Sequence, residues 1–272
     1  MKWRITKKGA RRWLIATLIG YLLVGIALYF LQEKFLFHPE TIAEGQPLKV
    51  SQPHEELRLP VTNERLIHVT RFPVPDSTRK GLIIYFHGNR GSVERHAPQA
   101  DLFLPHGWEV WMPDYPGYGK STGPRTEQSI KEEAELVYKL ARSRFAANSI
   151  IIYGRSMGSG PATWLASRVD CRRLVLESPY TSIPDLMRDY TFIYPTSLMS
   201  KYQFNNAEIL PEVDAPISIF HGTADNTISI KHARRLSRIS HSKTSLIEIK
   251  AAAHNNLPEF PRFFEEIRKL LE

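Results

Sequence analysis

The chain has 272 residues, of which 42% are hydrophobic and 24% are charged, and its formal net charge is +8 at pH 7. These proportions are ordinary for a globular protein. Six of the positive charges lie in the first 12 residues, so only +2 remains for everything after them. Because the rest of the chain has no basic stripe, the sequence argues against a nucleic-acid partner.

The most hydrophobic segment is residues 13–31, a run of 19 uncharged residues with the sequence WLIATLIGYLLVGIALYFL. As a helix it would be about 28 Å long, enough to cross a bilayer. The preceding tail, residues 1–12, contains Lys2 and Arg4 among its basic residues and no acidic residue. By the positive-inside rule this tail stays in the cytoplasm.

The sequence therefore predicts a single-pass membrane protein whose remaining domain is extracytoplasmic, in a periplasm or a lumen. A cleaved signal peptide is the alternative. The apolar stretch is longer than a usual signal sequence and no convincing small-residue cleavage site follows it, which favours an uncleaved anchor.

Residues 32–52 are polar and contain Pro39, Gly45 and Pro47, a composition that predicts a connector. The folded domain is expected at residues 53–272. It opens with two loosely alternating runs, Glu55 to Val61 and Leu66 to Val74, which predict an antiparallel hairpin at a sheet edge. The single cysteine excludes an intrachain disulfide.

Short apolar runs then alternate with longer helical patterns. The helical patterns cover Thr126 to Arg144 and Leu257 to Leu271. The runs that predict buried parallel strands are 81–86, 109–112, 149–153, 173–176, 217–220 and 245–249. This alternation predicts an α/β fold with a mostly parallel, doubly wound sheet.

Residues 181–213 interrupt this alternation of strands and helices, because they contain no clear strand but many large apolar side chains. Two interpretations stay open for this interval. It forms either a cap over the functional site or an ordinary crossover helix whose apolar side chains face the core.

The strongest motif is Gly154-Arg155-Ser156-Met157-Gly158, which directly follows the predicted strand at residues 149–153. Gly-x-Ser-x-Gly at the end of a strand is typical of a nucleophile elbow, where the serine occupies a strained strand-to-helix turn. A helix is predicted next, at residues 159–166. Ser156 is therefore the candidate nucleophile, and the alternative is a glycine-rich turn whose serine has no catalytic part.

A serine nucleophile needs a base, and the base needs an acid that orients it. His254 follows the last predicted strand and precedes the last helix, so it is the candidate base. Asp225 follows the strand at residues 217–220 and is the candidate acid. The order Ser, Asp, His is the one expected of α/β-hydrolases.

Other titratable residues compete for the same roles. Glu177 also follows a strand and is the alternative acid, whereas Asp114 is expected to fix its own loop by bonding its own backbone. His232 lies on a polar helix and is expected to be solvated. A surface position is expected for the histidines that follow no strand near the elbow, which are His38, His54, His68, His96 and His106.

An acyl-transfer reaction also needs backbone N–H groups that stabilise the oxyanion. Met157 directly follows the nucleophile and supplies one such group. The second is expected from Asn89, in the loop Phe86-His87-Gly88-Asn89 after an earlier strand. The sequence contains no H-x-x-x-H pair, cysteine cluster or phosphate-binding loop, so neither a metal nor a cofactor is predicted.

These segments together resemble the α/β-hydrolase family, and within it the membrane-anchored bud-emergence-type and alpha/beta-hydrolase-domain (ABHD) proteins. The resemblance extends from about residue 53 onward. It rests on four stretches in the family's order, at residues 86–89, 114–121, 154–161 and 221–225. The chain departs from the family pattern at Ala253, where relatives usually have glycine, at Asn255-Asn256, where an acidic residue is usual, and at 226–229, which lacks the usual valine-proline.

The resemblance implies a serine hydrolase that cleaves carboxylic esters, lipids or thioesters. The residues predict attack by Ser156, proton transfer by His254 and orientation of its ring by Asp225, with Asn89 and Met157 stabilising the oxyanion. The expected partner is a small-molecule or lipid acyl ester. Two alternatives remain: a peptidase, because the same triad cleaves amides, and a non-catalytic membrane scaffold that kept the fold.

Overall fold

Strands and helices alternate along the chain in the computed structural model of the protein, which describes residues 7–272. Lys2 and Arg4 of the predicted basic tail lie outside these residues. The strands are β1 (His38–Pro39), β2 (Glu55–Pro60), β3 (Leu66–Phe72), β4 (Gly81–Phe86), β5 (Arg90–Gly91), β6 (Trp108–Pro113), β7 (Ile150–Arg155), β8 (Arg173–Glu177), β9 (Ile217–Gly222) and β10 (Thr244–Ile249). The helices are α1 (Lys7–Leu36), α2 (Val93–His96), α3 (Glu127–Arg142), α4 (Ser159–Ala166), α5 (Ile183–Tyr190), α6 (Thr196–Met199), α7 (Asn206–Ile209), α8 (Lys231–Ile239) and α9 (Pro261–Leu271).

Eight of these strands form one sheet in the order β10-β9-β8-β7-β4-β6-β3-β2. The pairs β2–β3 and β3–β6 are antiparallel, and the remaining pairs of this sheet are parallel. The predicted edge hairpin and the predicted mostly parallel sheet are both confirmed. Every residue of the central strands β4 and β7 is buried, because helices cover both faces of a parallel sheet.

Alternate residues of β4 enter two separate cores, one on each face of the sheet. Leu82 and Ile84 pack in the cluster that contains Val137 of α3 and Leu165 of α4. Ile83 and Tyr85 pack in the second cluster, whose other buried members include Val93, Phe263, Ile267 and Leu271 from α2 and α9. Successive side chains of a strand point to opposite faces, so the domain has three layers with the sheet in the middle.

Helix α1 precedes the domain and extends the predicted apolar stretch at both ends. Within residues 7–272 it is the one helix that is long and apolar enough to cross a membrane, by length and composition. Most of its apolar side chains are exposed, Trp13 and Leu14 among them.

The residues that follow α1 run along the surface of the domain and are bonded to it. Strand β1 pairs with β5 in a small parallel sheet. Further along, the N–H of Ile42 donates to the carbonyl of Gly119 (2.8 Å), and Leu48 is buried. The predicted connector is thus held against the domain over much of its length.

One acidic side chain of the core faces an environment that disfavours its charge. Glu133 on α3 is buried, and its Oε1 lies 3.7 Å from the Arg65 guanidinium without a hydrogen bond. The neighbouring Glu132 makes the closer contact with Arg65, at 2.8 Å. Burial raises the pKa of Glu133 from 4.5 to about 8, and Arg65 offsets only part of this rise.

We predict that Glu133→Gln stabilises the protein at pH 8 and not at pH 4.5. The folded state keeps Glu133 protonated up to a pKa of about 8, whereas the unfolded chain releases this proton near 4.5. Unfolding therefore releases a proton between these values, so the free energy of unfolding falls as the pH rises through this window. The substitution removes that loss, so we expect the free energy of unfolding to be higher by roughly 1–3 kcal/mol in the variant at pH 8.

The measurement is denaturant unfolding of the full chain in detergent at both pH values. Glu132→Gln is the matched control on the same helix, and it should give no gain at pH 8 because Glu132 pairs with Arg65 and is half-exposed. A gain of equal size at both pH values in Glu133→Gln would contradict the protonation argument.

Candidate active site

Ser156 lies at the sharp turn between β7 and α4. Its φ is +52°, a left-handed conformation that costs a side-chain-bearing residue free energy. The turn passes so close to its neighbours that only glycine fits beside it. A Cβ on Gly158 would lie 2.1 Å from the carbonyl oxygen of Phe86, and a Cβ on Gly154 would lie 2.5 Å from Cβ of Ala162. The spacing Gly-x-Ser-x-Gly is thus a steric requirement of this turn.

The three residues predicted as a triad lie together in the structure. Ser156 follows β7, Asp225 follows β9 and His254 follows β10, so all three lie beyond the carboxyl ends of parallel strands. His254 Nε2 is 3.0 Å from Ser156 Oγ, and His254 Nδ1 is 2.7 Å from Asp225 Oδ2. These distances form a continuous chain of hydrogen bonds from the hydroxyl to the carboxylate.

The surroundings of Asp225 keep its carboxylate charged. Its Oδ1 accepts hydrogen bonds from the backbone N–H groups of Thr227 and Ile228, both at 2.8 Å. Burial raises the pKa of Asp225, but hydrogen bonds with His221 and His254 outweigh it, so the pKa lies below its ordinary value. A charged Asp225 accepts a hydrogen bond from the Nδ1–H group of His254, which leaves Nε2 free to accept a hydrogen bond from the Ser156 hydroxyl.

The loops that bear Asp225 and His254 are bonded to each other. The N–H of Thr223 donates to the carbonyl of Ile249 (3.0 Å), and the N–H of Ala224 donates to the carbonyl of Ala252 (2.9 Å). In return, the N–H of Ala251 donates to the Thr223 hydroxyl (2.9 Å). The acid and the base are therefore held at a fixed separation by backbone contacts.

Asn89 and Met157, the predicted oxyanion donors, flank Ser156 from two loops. A Cβ built on Gly88, the residue before Asn89, would lie 3.9 Å from Cβ of Ser156, so the Asn89 loop passes next to the serine. Met157 is in the 3₁₀ turn Ser156–Gly158, and the first N–H groups of such a turn have no partner within it. Among the described residues, the backbone N–H of Asn89 makes no hydrogen bond either.

The chain that follows α1 holds the Asn89 loop in place. The Asn89 side-chain amide donates to the carbonyl of Leu36 (3.1 Å), the last residue of α1. The Asn89 carbonyl accepts from the N–H of His38 (2.9 Å) and from the hydroxyl of Tyr118 (2.8 Å). The end of α1 is thus part of the structure that positions a predicted oxyanion donor.

Glu177, the alternative acid, is engaged elsewhere. It forms an ion pair with Arg155 (Nε to Oε1, 2.9 Å) and accepts from the hydroxyl of Tyr153 (2.7 Å). Arg155 also donates to Oδ1 of Asn255 (3.2 Å), the residue after His254. Arg155 therefore connects the serine turn to the histidine loop, and Asn255 is the first of two residues that replace the acidic residue usual in relatives. Asn256 caps the same loop by accepting from the N–H of Ala253 (2.7 Å).

Several expectations for the other titratable residues were wrong. His68, His96 and His232 are buried, not exposed. The His232 ring forms hydrogen bonds with the Thr181 hydroxyl and the Asp189 carboxylate. Both partners are distant in the chain, so the polarity of the helix does not predict these contacts.

Asp114 also differs from its expected role, because its carboxylate bonds another loop and not its own. Its Oδ1 accepts from the N–H of Val93 (2.8 Å) and lies 3.3 Å from Nε2 of His87. The ring of His96 stacks on His87, with centroids 4.8 Å apart, directly behind Gly88. Burial lowers the pKa of His96, so its neutral ring donates from Nε2 to the carbonyl of Arg90 (2.9 Å).

A pocket of about 1120 Å³ opens at Ser156 and His254. This volume is slightly above the range of roughly 300–1,000 Å³ that is usual for ligand sites. One side is apolar and is lined from two helices by Leu28, Phe35, Leu36, Leu186, Met187 and Tyr190. The other side is polar and cationic and is lined by Arg90, Arg95, His96, Gln99, Arg155 and Asn255. The sequence left a cap at residues 181–213 open, and Leu186, Met187 and Tyr190 of that interval do line the pocket. It did not predict the contributions of α1, Arg90 and Arg95, because these residues are far from the serine turn in the chain.

The described residues contain no group of three or more histidine, cysteine, aspartate or glutamate side chains arranged to hold a metal ion.

Known proteins share this arrangement in part of the sequence and in the fold. Residues 81–207 match the alpha/beta hydrolase fold family. Alpha/beta hydrolase domain-containing protein 17B of Homo sapiens is 28% identical over 169 residues, which are 60% of this chain and 56% of that protein. Alpha/beta hydrolase domain-containing protein 17C of Mus musculus is 26% identical over 60% of this chain and 50% of its own length. The chain thus spans about half the length of the curated relatives it matches.

Solved structures show the same fold over most of the chain. The esterase Pf2001 of Pyrococcus furiosus superposes with a TM-score of 0.66 and 17% identity, over 86% of this chain and 98% of the esterase. A predicted CIB-like hydrolase from Thermoplasma acidophilum superposes with a TM-score of 0.56 and 18% identity, over 81% of this chain and 97% of that one. With the sheet order and the turn at Ser156, these matches show that the chain has the α/β-hydrolase fold and that its sequence is similar to those of alpha/beta hydrolase domain-containing proteins.

Proposed function

We propose that the protein is a membrane-anchored serine hydrolase that cleaves carboxylic acyl esters through an acyl-enzyme. The observation that carries this proposal is the hydrogen-bond chain from Ser156 through His254 to Asp225 at the floor of a large pocket. A serine hydroxyl is a weak nucleophile by itself, and this chain supplies the base and the acid that it needs. Lipid esters and thioesters are included in the proposed substrate class because one wall of the pocket is apolar.

In the proposed reaction Ser156 Oγ attacks the acyl carbonyl while His254 Nε2 takes the hydroxyl proton. Asp225 stabilises the imidazolium that forms. The N–H groups of Asn89 and Met157 donate to the developing oxyanion, and one such donor is worth about 3 kcal/mol of barrier reduction. His254 then protonates the leaving alcohol. In the second half-reaction a water molecule loses its proton to His254 and attacks the acyl-enzyme, which releases the acid and restores Ser156.

The proposed location follows from the charges and the length of the N-terminal segment. Helix α1 is long and apolar enough to span a bilayer, and basic residues including Arg11 and Arg12 precede its apolar part. The positive-inside rule then places the N-terminus in the cytoplasm and the catalytic domain on the other side, in a periplasm or a lumen.

We predict that a fluorophosphonate probe labels the membrane-bound protein and that Ser156→Ala abolishes the labelling. The probe reacts only with an activated serine, and the Ser156 hydroxyl is hydrogen-bonded to His254. Turnover of a short p-nitrophenyl ester should fall at least about 10⁴-fold in the same variant. The matched control is Ser167→Ala, because Ser167 lies at the far end of α4 and its hydroxyl donates to the carbonyl of Trp164. It should label like the wild type.

The same assay separates the alternatives. Turnover of peptide amides at a higher kcat/KM than that of matched esters would favour a peptidase. Absence of both labelling and ester turnover in a folded wild-type protein would overturn the hydrolase proposal in favour of a non-catalytic scaffold.

We predict that Asp225→Asn lowers kcat by about 10³–10⁴-fold and changes KM little. An amide cannot stabilise the imidazolium, and it favours the ring tautomer that has its proton on Nε2. Steady-state kinetics with a soluble ester give both constants. Asp214→Asn is the control, because Asp214 is a fully exposed carboxylate on the protein surface. A loss below tenfold in Asp225→Asn would mean that Asp225 does not serve as the acid.

A further inference from the structure

Helix α1 is docked onto the segment that contains α5 and α6, residues 183–199, called here the α5–α6 segment. The rings of Tyr21 and Tyr194 stack in parallel, with centroids 4.6 Å apart. The Tyr21 hydroxyl donates to the carbonyl of Ile193 (3.0 Å), and the Tyr194 hydroxyl donates to the carbonyl of Tyr21 (3.1 Å). Gly25 allows the close approach, because a Cβ there would lie 3.1 Å from the Tyr194 ring.

A second set of contacts lies two turns further along α1. Gln32 is buried, donates to the carbonyl of Met199 (3.1 Å) and accepts from the N–H of Lys201 (2.7 Å). The Lys201 ammonium lies 3.6 Å from a carboxylate oxygen of Glu33. Buried hydrogen bonds of this kind fix the register of α1 against the domain, since a shift would leave polar groups without partners.

The docked part of α1 overlaps the apolar stretch that is long enough to span a membrane. Contacts begin at Tyr21, eight residues after Trp13, and the apolar stretch ends at Leu31. From Tyr21 to Leu31 the helix rises about 15 Å, which is half of the ~30 Å hydrocarbon core. If α1 spans the bilayer, the α5–α6 segment therefore lies at the depth of one leaflet and not above the membrane.

The later part of the α5–α6 segment, from residue 190 onward, has a surface with the chemistry that this depth requires, whereas the charged residues of the segment, Asp185, Arg188 and Asp189, come before it. Phe192, Ile193 and Leu198 are 82%, 58% and 84% exposed, although they are large and apolar. Residues 190–200 contain no charged side chain. The first charge after them is Lys201, which reaches Glu33 at the end of the apolar stretch, where a headgroup region would begin. Clustered exposed apolar side chains on a soluble surface are costly, whereas in lipid they are stabilising.

We propose that residues 190–200 are immersed in the leaflet next to the catalytic domain and that the pocket receives membrane-resident acyl esters from that leaflet. Leu28 and Phe35 of α1 and Met187 and Tyr190 of α5 line the pocket, so its apolar wall is made by the same two elements that face the lipid. An acyl chain can therefore pass from the bilayer to Ser156 between apolar surfaces. The immersion rests on α1 spanning the membrane, and the substrate route also rests on the proposed hydrolase activity.

Site-directed spin labelling measures the immersion without any turnover. In a Cys171→Ala background, which removes the single cysteine, nitroxides are placed by Phe192→Cys or Leu198→Cys in the full chain in phosphatidylcholine vesicles. We expect the nitroxide to collide more often with oxygen than with an aqueous nickel chelate, as a label in lipid does. The control is Phe264→Cys, because Phe264 is also an exposed aromatic residue (47%) but lies on α9. Nickel accessibility equal to that of position 264 would overturn the immersion.

A kinetic comparison tests the substrate route. Phe192→Glu and Leu198→Glu should lower turnover of a long-chain ester embedded in vesicles at least tenfold and leave turnover of a short soluble ester within twofold, because neither residue lines the pocket. Equal loss on both esters would overturn the route. If the wild type turns over neither ester, the hydrolase proposal fails, and the spin-label depth still decides the immersion.

A separate observation concerns the charge of the pocket. Its lining contains Arg90, Arg95 and Arg155 and no aspartate or glutamate. Arg155 is neutralised by its ion pair with Glu177. The guanidinium groups of Arg90 and Arg95 are exposed and make no ion pair or hydrogen bond among the described residues. The polar side of the pocket thus presents two uncompensated positive charges, next to the loop that bears Gly88 and Asn89.

From this charge we infer that the preferred acyl ester carries an anionic group on its alcohol side. The test compares a monoacylglycerol with the acylglycerol phosphate of the same acyl chain in mixed micelles. We expect the wild type to favour the phosphate by about tenfold in kcat/KM at low salt, and Arg90→Gln with Arg95→Gln to abolish that ratio. Arg144→Gln, away from the pocket, is the charge-matched control. A ratio near one in the wild type, or one unchanged by the double substitution, would overturn the inference.

Discussion

The close contact between the ends of β4 and β7 is the constraint on which the rest of the site depends. Gly158 lies against the carbonyl of Phe86, at the point where β4 ends, and this contact lets Ser156 adopt its left-handed conformation beside the loop that follows. A residue in this conformation lowers the stability of the folded protein by on the order of 1–3 kcal/mol. The burial of the central strands and the packing of helix α4 offset this loss. Because the same contact brings Gly88 next to Ser156, it positions both the proposed nucleophile and the loop of the proposed oxyanion donor Asn89.

Buried charges around this turn are paired, and each pair joins two parts of the site. Arg155 bonds Glu177 at the base of the serine turn and reaches Asn255 beside the histidine. Asp225 receives backbone N–H groups from its own loop and also lies 3.3 Å from His221, the fifth residue of β9. A buried ion left alone would cost several kcal/mol, so these pairings make displacement of a single loop unfavourable. The geometry around Ser156 is consequently rigid before any substrate arrives.

The sequence predicted those parts of the molecule that depend on local pattern or on strand order. The strands formed within about two residues of their expected ends, because buried parallel strands are uninterrupted apolar runs. Ser156, Asp225 and His254 could be grouped because parallel strands end at one edge of a sheet. Features that arise from contacts between distant segments could not be predicted. The burial of His232 depends on Asp189 of α5, and the wall that Leu28 adds to the pocket depends on the docking of α1.

The N-terminal helix is more than a tether in this structure, because the chain that leaves it is bonded to the loop next to the serine. The carbonyl of Leu36 accepts from the side chain of Asn89, and the N–H of His38 donates to the carbonyl of the same residue. Gln32, one turn earlier, is buried against the α5–α6 segment. The helix that we propose to span the membrane therefore contacts both the oxyanion loop and the apolar wall of the pocket. A force that tilts α1 relative to the domain would have to break the bonds to Asn89 or to Met199, so the orientation of the site toward the bilayer is fixed by the same hydrogen bonds that shape it.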